Sequence, residues 1–169
     1  MIIGCGGAGK STLSKKLSQL TGLELIHLDR HYWKPNWEMT DKPAWETLVR
    51  ELSNRPSWII DGNYGSTMDI RIAKADTIIF LDYSTLVCLW RVTKRTLQYW
   101  RKSRPDMSEG CGERFDWQFY HYVATYNSTR RKKILAKLDK VKDSKKVLIF
   151  NNDKETDNFL KELEDSIAK

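Results

Sequence analysis

The stretch Gly4-Cys5-Gly6-Gly7-Ala8-Gly9-Lys10-Ser11-Thr12 fits G-x-x-x-x-G-K-[ST] without a mismatch. It follows the apolar residues Met1, Ile2 and Ile3 and precedes Leu13, Leu17 and Leu20, which recur at helical spacing. A strand, a glycine loop and a helix in that order form a phosphate-binding loop. The glycines let successive N–H groups turn inward toward an anion. The helix that opens near Lys10 adds its positive dipole end. Gly4, Gly6, Gly7, Ala8, Gly9, Lys10, Ser11 and Thr12 are therefore the candidates for holding a nucleotide's phosphates. Lys10 is placed to reach the β- and γ-phosphates and the Ser11 hydroxyl to ligate Mg²⁺. The bland alternative is a glycine-rich turn before a helix.

The rest of the chain alternates strand and helix patterns, which predicts a parallel α/β sheet. The first strand is very short for a buried one, so the start of the chain is either trimmed or unusually brief. Residues 23–28 predict a second strand, closed by Asp29. Residues 58–60 predict a third, followed by Asp61-Gly62-Asn63-Tyr64-Gly65. Residues 77–82 predict the strongest strand and end in Asp82, an hhhhD pattern that matches the carboxylate serving Mg²⁺ in such proteins. Residues 146–150 predict the fifth strand, and Asn151 just beyond it is a candidate for the nucleotide side of the site. Ligands of open α/β sheets bind beyond the C-terminal ends of the strands, so Asp29, Asp61, Asp82 and the glycine loop should converge there. Asp29 also reads as a plain cap.

Between the fourth and fifth strands lie a long helix pattern with Arg91 and Arg95 on one face, a loop over 105–112 and an aromatic helix pattern over 115–126. The residues near 98–127 read as a lid over a single domain spanning 1–169. The arginine pair is either solvated or set on an anion. The aromatic stripe reads as core more readily than as a base-stacking platform. Residues 30–37, His31-Tyr32-Trp33 and Pro35-Asn36-Trp37 among them, form either a packed surface loop or a ring-stacking surface.

Charge narrows the partners. The net charge is +7, and residues 91–146 hold 16 basic against 6 acidic side chains. That local excess suits an anionic partner, nucleotide phosphates or nucleic acid. An apolar content of 40% with seven tryptophans argues against disorder. No apolar run is long enough to span a membrane and no secretory leader is recognisable. Cys5, Cys88 and Cys111 lack metal-ligand spacing and read as reduced thiols of a cytoplasmic protein.

The segments GCGGAGKST, HLDRHYWKPNW, WIIDGNYGSTMDIR, ADTIIFLDYS, CLWRVTKR and RPDMSEGCGERFDW carry a further likeness. Over nearly its whole length the chain resembles the DNA topology modulation proteins, relatives of adenylate kinase in the nucleoside monophosphate kinase group of P-loop proteins. The resemblance implies a three-layer P-loop fold, a five-stranded parallel sheet flanked by helices, with a helical lid. It also implies ATP as ligand. Arg91 and Arg95 match the two arginines that contact ATP and the transferring phosphate, and Arg101 and Arg104 fall in the lid. Asp61-Gly62 matches the start of a DGFPR segment, but Gly65 stands where its phosphate-gripping arginine belongs. Arg71 or Arg30 would have to substitute, or the acceptor carries no phosphate there.

These readings converge on ATP- and Mg²⁺-dependent phosphoryl transfer to a small-molecule or nucleotide acceptor. Lys10, Arg91, Arg95, Asp29 and Asp61 are the catalytic candidates, Arg91 and Asn151 join the loop in binding nucleotide, and Ser11 and Asp82 serve the metal. The alternative is an ATP-binding regulator that contacts DNA through the basic segment, although no known reading module is evident. A GTPase is disfavoured because Asn151-Asn152-Asp153-Lys154 lacks N-K-x-D spacing.

Overall fold

The computed structural model describes residues 1–102 and 104–168; residue 103, inside the expected lid, and residue 169, at the end of the expected domain, lie outside the described residues. Strand β1 (Ile2–Gly4) leads through the glycine loop into helix α1 (Lys10–Thr21). Gly22 ends α1 in the left-handed conformation, its N–H on the Ser18 carbonyl at 2.9 Å. Strand β2 (Leu25–His27) follows, then the short helix α2 (Leu28–Tyr32). A two-stranded hairpin, β3 (Trp33–Lys34) and β4 (Glu38–Met39), comes next. Helix α3 (Lys42–Ser53) has Pro43 in its first turn, and the Asp41 carboxylate caps it through the Ala44 N–H.

Strand β5 (Ile59–Asp61) precedes helix α4 (Met68–Lys74), and strand β6 (Thr77–Leu81) precedes helix α5 (Thr85–Gln98). After an irregular strap come helix α6 (Trp117–Tyr126), one π turn over Asn127–Arg131 and helix α7 (Lys132–Asp139). Strand β7 (Lys146–Phe150) and helix α8 (Asp153–Ile167) close the chain.

The main sheet is all parallel, in the order β2-β5-β1-β6-β7. From β1 the chain runs out to β2 and returns to β5 on one side, then crosses β1 to β6 and β7 on the other, so the direction of winding reverses beside β1. The crevice at that reversal is where an open α/β sheet binds its ligand. Helices flank the sheet, and this is a P-loop α/β fold. At β5, Ile59 joins the larger apolar cluster while Ile60 packs with Trp45, Val49 and Leu52 of α3. Neighbouring strand residues face opposite sides, so the sheet is buried on both faces there.

Two local expectations change. The second strand is shorter than residues 23–28, because the chain turns helical at Leu28 and Asp29 sits on α2 rather than at a strand end. Residues 30–37 are a helix end and a hairpin rather than a loop. Among the described residues, the expected lid is an irregular strap over residues 99–102 and 104–116, followed by α6. Among the described residues, no helix is long and apolar enough to cross a membrane.

Candidate active site

The glycine loop is fixed before any ligand arrives. A Cβ on Gly7, whose φ is +82°, would stand 2.5 Å from the Cys88 carbonyl oxygen, and one on Gly6 would stand 2.7 Å from the Phe119 ring. Helices α5 and α6 therefore press on the loop, and only glycine permits that approach. Asn63 ties the loop to the end of β5: its side-chain carbonyl accepts the Gly4 N–H at 3.0 Å and its amide donates to the Gly4 carbonyl at 2.6 Å. Lys10 folds back and donates to the Cys5 carbonyl at 3.0 Å.

A cavity of about 910 Å³ opens over this loop at the C-terminal edge of the sheet. Gly6, Gly7, Gly9, Lys10, Ser11 and Thr12 line it, as do Asp29, Asp61, Arg91 and Arg95. Gly4 and Ala8 belong to the body of the loop and do not line the cavity; Ala8 is buried.

Two expected residues are elsewhere. Asp82 does not line the cavity. Its side chain is 4% exposed and is held by Arg131, whose Nε lies 2.8 and 2.9 Å from the two carboxylate oxygens. Asn151 is exposed, donates to Glu155 and does not line the cavity either. Asp153, two residues on, is the residue of that segment that meets the site, through an ion pair with Arg91. Arg91 also lies over the Tyr83 ring, 5.1 Å from its centre.

The cavity carboxylates Asp29 and Asp61 are set differently. Asp29 accepts the Tyr64 hydroxyl at 2.6 Å. Burial raises its pKa, partly opposed by that hydrogen bond and by the Lys10 charge. Asp61 accepts the Ser14 hydroxyl at 2.9 Å, and the same oxygen lies 3.0 Å from His27 Nδ1. Burial works against the His27 imidazolium, but its bond to Asp61 outweighs this, and the histidine titrates above its ordinary value.

Neither proposed substitute for the missing arginine reaches the cavity. Arg71 is fully buried, and its guanidinium donates to the carbonyls of Gly62, Asn63 and Tyr64 at 2.7, 2.5 and 3.1 Å. It shapes the loop after β5. Arg30 is exposed and donates to the Pro105 carbonyl. Neither lines the cavity.

Arg95 and Arg104 stand together at the cavity wall and share one carboxylate. Glu113, 5% exposed, accepts Arg95 at 3.0 and 3.2 Å through Oε1, while its Oε2 lies 2.7 Å from Arg104 Nε. Burial and the nearby Arg104 charge lower the Arg95 pKa, and Glu113 opposes both. Arg104 also donates to both oxygens of Asp106, at 3.0 and 3.2 Å. Asp106 and Ser11 both line the cavity. Burial works to raise Asp106, but Arg104 and Ser11 outweigh it and hold its carboxyl below the usual range. Sequence reasoning did not single out Asn63, Tyr64, Asp106 or Glu113. Their one signal was a place inside the segments WIIDGNYGSTMDIR and RPDMSEGCGERFDW.

The aromatic residues divide. Tyr32 packs against Trp45 and Tyr64 in the smaller core, with ring centres 5.0 and 4.8 Å away. Trp33 and Trp37 line the cavity, 5.4 Å apart and nearly edge to face. The strap closes over this hairpin: Trp37 Nε1 donates to the Gly112 carbonyl at 3.2 Å, Ser108 to the Arg30 carbonyl at 2.7 Å, and the Asn36 N–H to the Gly110 carbonyl at 3.2 Å. In α6, Val123 and Tyr126 are core and Phe119 reaches the cavity. Several charges of the basic run are engaged within the fold, Arg131 on Asp82, Lys137 on Asp69 and Lys145 on the Ala75 carbonyl.

No family model matches the chain, and no curated protein matches it in sequence. Solved structures do align. A deoxyadenosine kinase from M. mycoides with bound dCTP is 14% identical over 98% of this chain and 97% of that one, at a TM-score of 0.48. The same enzyme with the products dCMP and dCDP is 16% identical over 99% and 95%, at 0.49. An unliganded sugar kinase from Janibacter sp. is 15% identical over 98% and 88%, at 0.48. At these values the likenesses carry no inference about what this chain binds or does.

Proposed function

We propose that this protein transfers the γ-phosphoryl group of ATP, with Mg²⁺, to a hydroxyl of a small-molecule or nucleotide acceptor. One observation carries the reading: the glycine loop with Lys10 and Ser11, the carboxylates Asp29 and Asp61, and the arginines Arg91, Arg95 and Arg104 all line one cavity at the switch point of the sheet. Phosphoryl transfer asks a protein mainly for position and charge, and this set supplies both.

The loop N–H groups and Lys10 hold the β- and γ-phosphates. Arg91, Arg95 and Arg104 neutralise the charge on the transferring group. Asp29 or Asp61 accepts a hydrogen bond from the attacking hydroxyl and orients it; the raised pKa of Asp29 suits it to take the proton as the new P–O bond forms and ADP leaves. The donor set suits Mg²⁺, a hard ion that takes one or two carboxylates and a hydroxyl together with phosphate oxygens. Ser11 would supply that hydroxyl, and the ion would offset the negative charge of the phosphates.

With Gly65 in place of the family's arginine, and Arg71 and Arg30 both engaged outside the cavity, the acceptor end favours a hydroxyl compound with a planar ring set against Trp33 and Trp37. The sequence likeness to DNA topology modulation proteins is compatible with this chemistry. A nucleic-acid role draws less support, because much of the basic run is engaged within the fold. A cytoplasmic, reducing setting fits the three free cysteines.

The test is a screen of nucleosides, nucleotides and small ring-bearing alcohols with ATP and Mg²⁺, read by ADP release and by the phosphorylated product. One acceptor should stimulate release, and Lys10→Ala should lower that rate by at least about a hundredfold while staying folded. ADP release independent of every acceptor would turn the reading into an ATPase. Undiminished transfer by folded Lys10→Ala would remove it.

A further inference from the structure

Helix α5 has a second apolar face, and it is turned to solvent. Leu86, Trp90, Thr93 and Leu97 recur at alternating steps of four and three residues, and Trp100 continues the pattern just past the helix end. That spacing keeps to one side of a helix. The core side is made by other residues, Cys88, Val92 and Thr96, which are buried. Leu86, Trp90, Leu97 and Trp100 are between 49 and 79% exposed. Among the exposed residues of α5, Lys94 alone is charged, and its Nζ lies 5.3 Å from the centre of the Trp90 ring. A solvated helix face ordinarily carries charges; aromatic residues with few charges mark the core of an interface.

Area and pattern together specify what covers this face. Phe115 and Trp117 are exposed as well, and they follow Glu113, the bridge partner of Trp100. These four aromatic side chains and two leucines leave roughly 800 Å² of apolar surface bare, about what each side of a stable dimer buries. A repeat that alternates between three and four residues is the seam of two paired helices. The seam is also self-complementary, as a two-fold interface requires. With the helices antiparallel and the axis at Thr93, Trp90 meets Leu97 of the second copy and Leu86 meets Trp100 of the second copy. Each contact then occurs twice. Thr93 at the axis is small enough for close approach, and its hydroxyl is satisfied within the helix by the Leu89 carbonyl at 3.0 Å.

We propose that this face joins two copies of the chain through antiparallel α5 helices. Arg91 and Arg95 reach the cavity from the same helix but are not seam residues, so pairing leaves the lining of the cavity unused. Lys94 of each copy stands beside the axis. The two charges repel, so added salt should tighten the dimer, whereas salt weakens binding to nucleic acid.

The test is the mass of the full chain by sedimentation equilibrium. The wild type should be a dimer at micromolar concentration, and tighter in higher salt. Trp90→Glu and Leu97→Lys should each be monomers. Both side chains are exposed on the single chain, so both variants should keep the far-UV circular dichroism of the wild type. Thr93→Cys, at the axis, should form a disulfide-linked dimer on mild oxidation, while Lys161→Cys on α8 should cross-link far more slowly. A wild type still monomeric well above micromolar concentration overturns the inference, and so does a dimer that persists in both charged variants. A monomeric wild type that sediments with anionic lipid vesicles, and loses this in Trp90→Glu, overturns it in favour of a membrane surface.

Discussion

Arg131 grips Asp82 with two nitrogens, Nε against both carboxylate oxygens and Nη2 at 2.7 Å from Oδ2. The pair ties the end of β6 to the π turn between α6 and α7. Asp82 is nearly buried and Arg131 is 41% exposed, so the pair sits between the surface and interior cases. Removing either partner should cost about 2 kcal/mol, more than a surface pair and less than a fully buried one. Urea unfolding of Asp82→Asn, Arg131→Met and the double variant should show this, with the double variant less destabilised than the sum. Additive effects would mean the two side chains act independently.

Arg71 makes a stronger demand. Its guanidinium is fully buried and satisfies three consecutive carbonyls, those of Gly62, Asn63 and Tyr64. Arg71→Met fills similar space but leaves those oxygens unmet, and the loss should be about 3 kcal/mol or more. Arg71→Lys should recover only part, because an ammonium cannot match the planar fork. Since the same loop places Asn63 on Gly4 and Tyr64 on Asp29, surviving protein should also bind nucleotide less well. Wild-type stability in Arg71→Met would remove the clamp.

Much of the fold was legible because it rests on local pattern. The glycine loop, the apolar runs and the turn residues between them are read within a few positions, and they place five strands and the helices between them. The lining of the cavity was legible where it lies on that frame, at Lys10, Ser11, Asp61 and the helical pair Arg91 and Arg95. It was not legible where a side chain is fixed by a distant one. Asp82 directly follows strand β6, yet its side chain is held by Arg131, 49 residues away. Arg71 sits on a helix face like any arginine, and nothing local reveals three carbonyls beneath it. Asp106 lies in an aperiodic strap, where neither spacing nor propensity indicates that it lines the cavity and pairs with Arg104. The early end of β2 falls just before Leu28, which is fully buried as the first residue of α2, so its apolar side chain alone did not tell strand from helix.

His27 and Asp61 make a pH-dependent contribution. The histidine pKa is raised in the fold, so the folded chain holds its proton more tightly than the unfolded chain. The stabilisation is fully present below the ordinary histidine value of 6.5 and is lost as pH rises through the raised folded value. Stability should therefore fall with rising pH on the alkaline side of 6.5. Other groups titrate as well, so the comparison is between wild type and His27→Gln, measured as urea midpoints from about pH 5.5 to about pH 9. The difference between them should shrink as pH rises. A constant difference would show that the bond to Asp61 does not depend on the imidazolium charge.

Glu113 allows two arginines to share a desolvated wall. Arg95 lies within reach of the Arg104 charge, which lowers its pKa, and the Glu113 carboxylate stands between them. Without it the two cations repel, and neither is held toward the phosphate position. Glu113→Gln keeps the shape and removes the charge. Its effect should fall on the step in which charge builds up on the transferring group, so kcat should drop roughly tenfold or more while the KM for ATP changes less. Inorganic phosphate offers an independent check. An anion can take the place of the missing carboxylate between the arginines, so added phosphate should raise the Tm of Glu113→Gln more than that of the wild type. A variant that is merely less stable, with kcat unchanged and no extra response to phosphate, would reduce Glu113 to a structural ion pair.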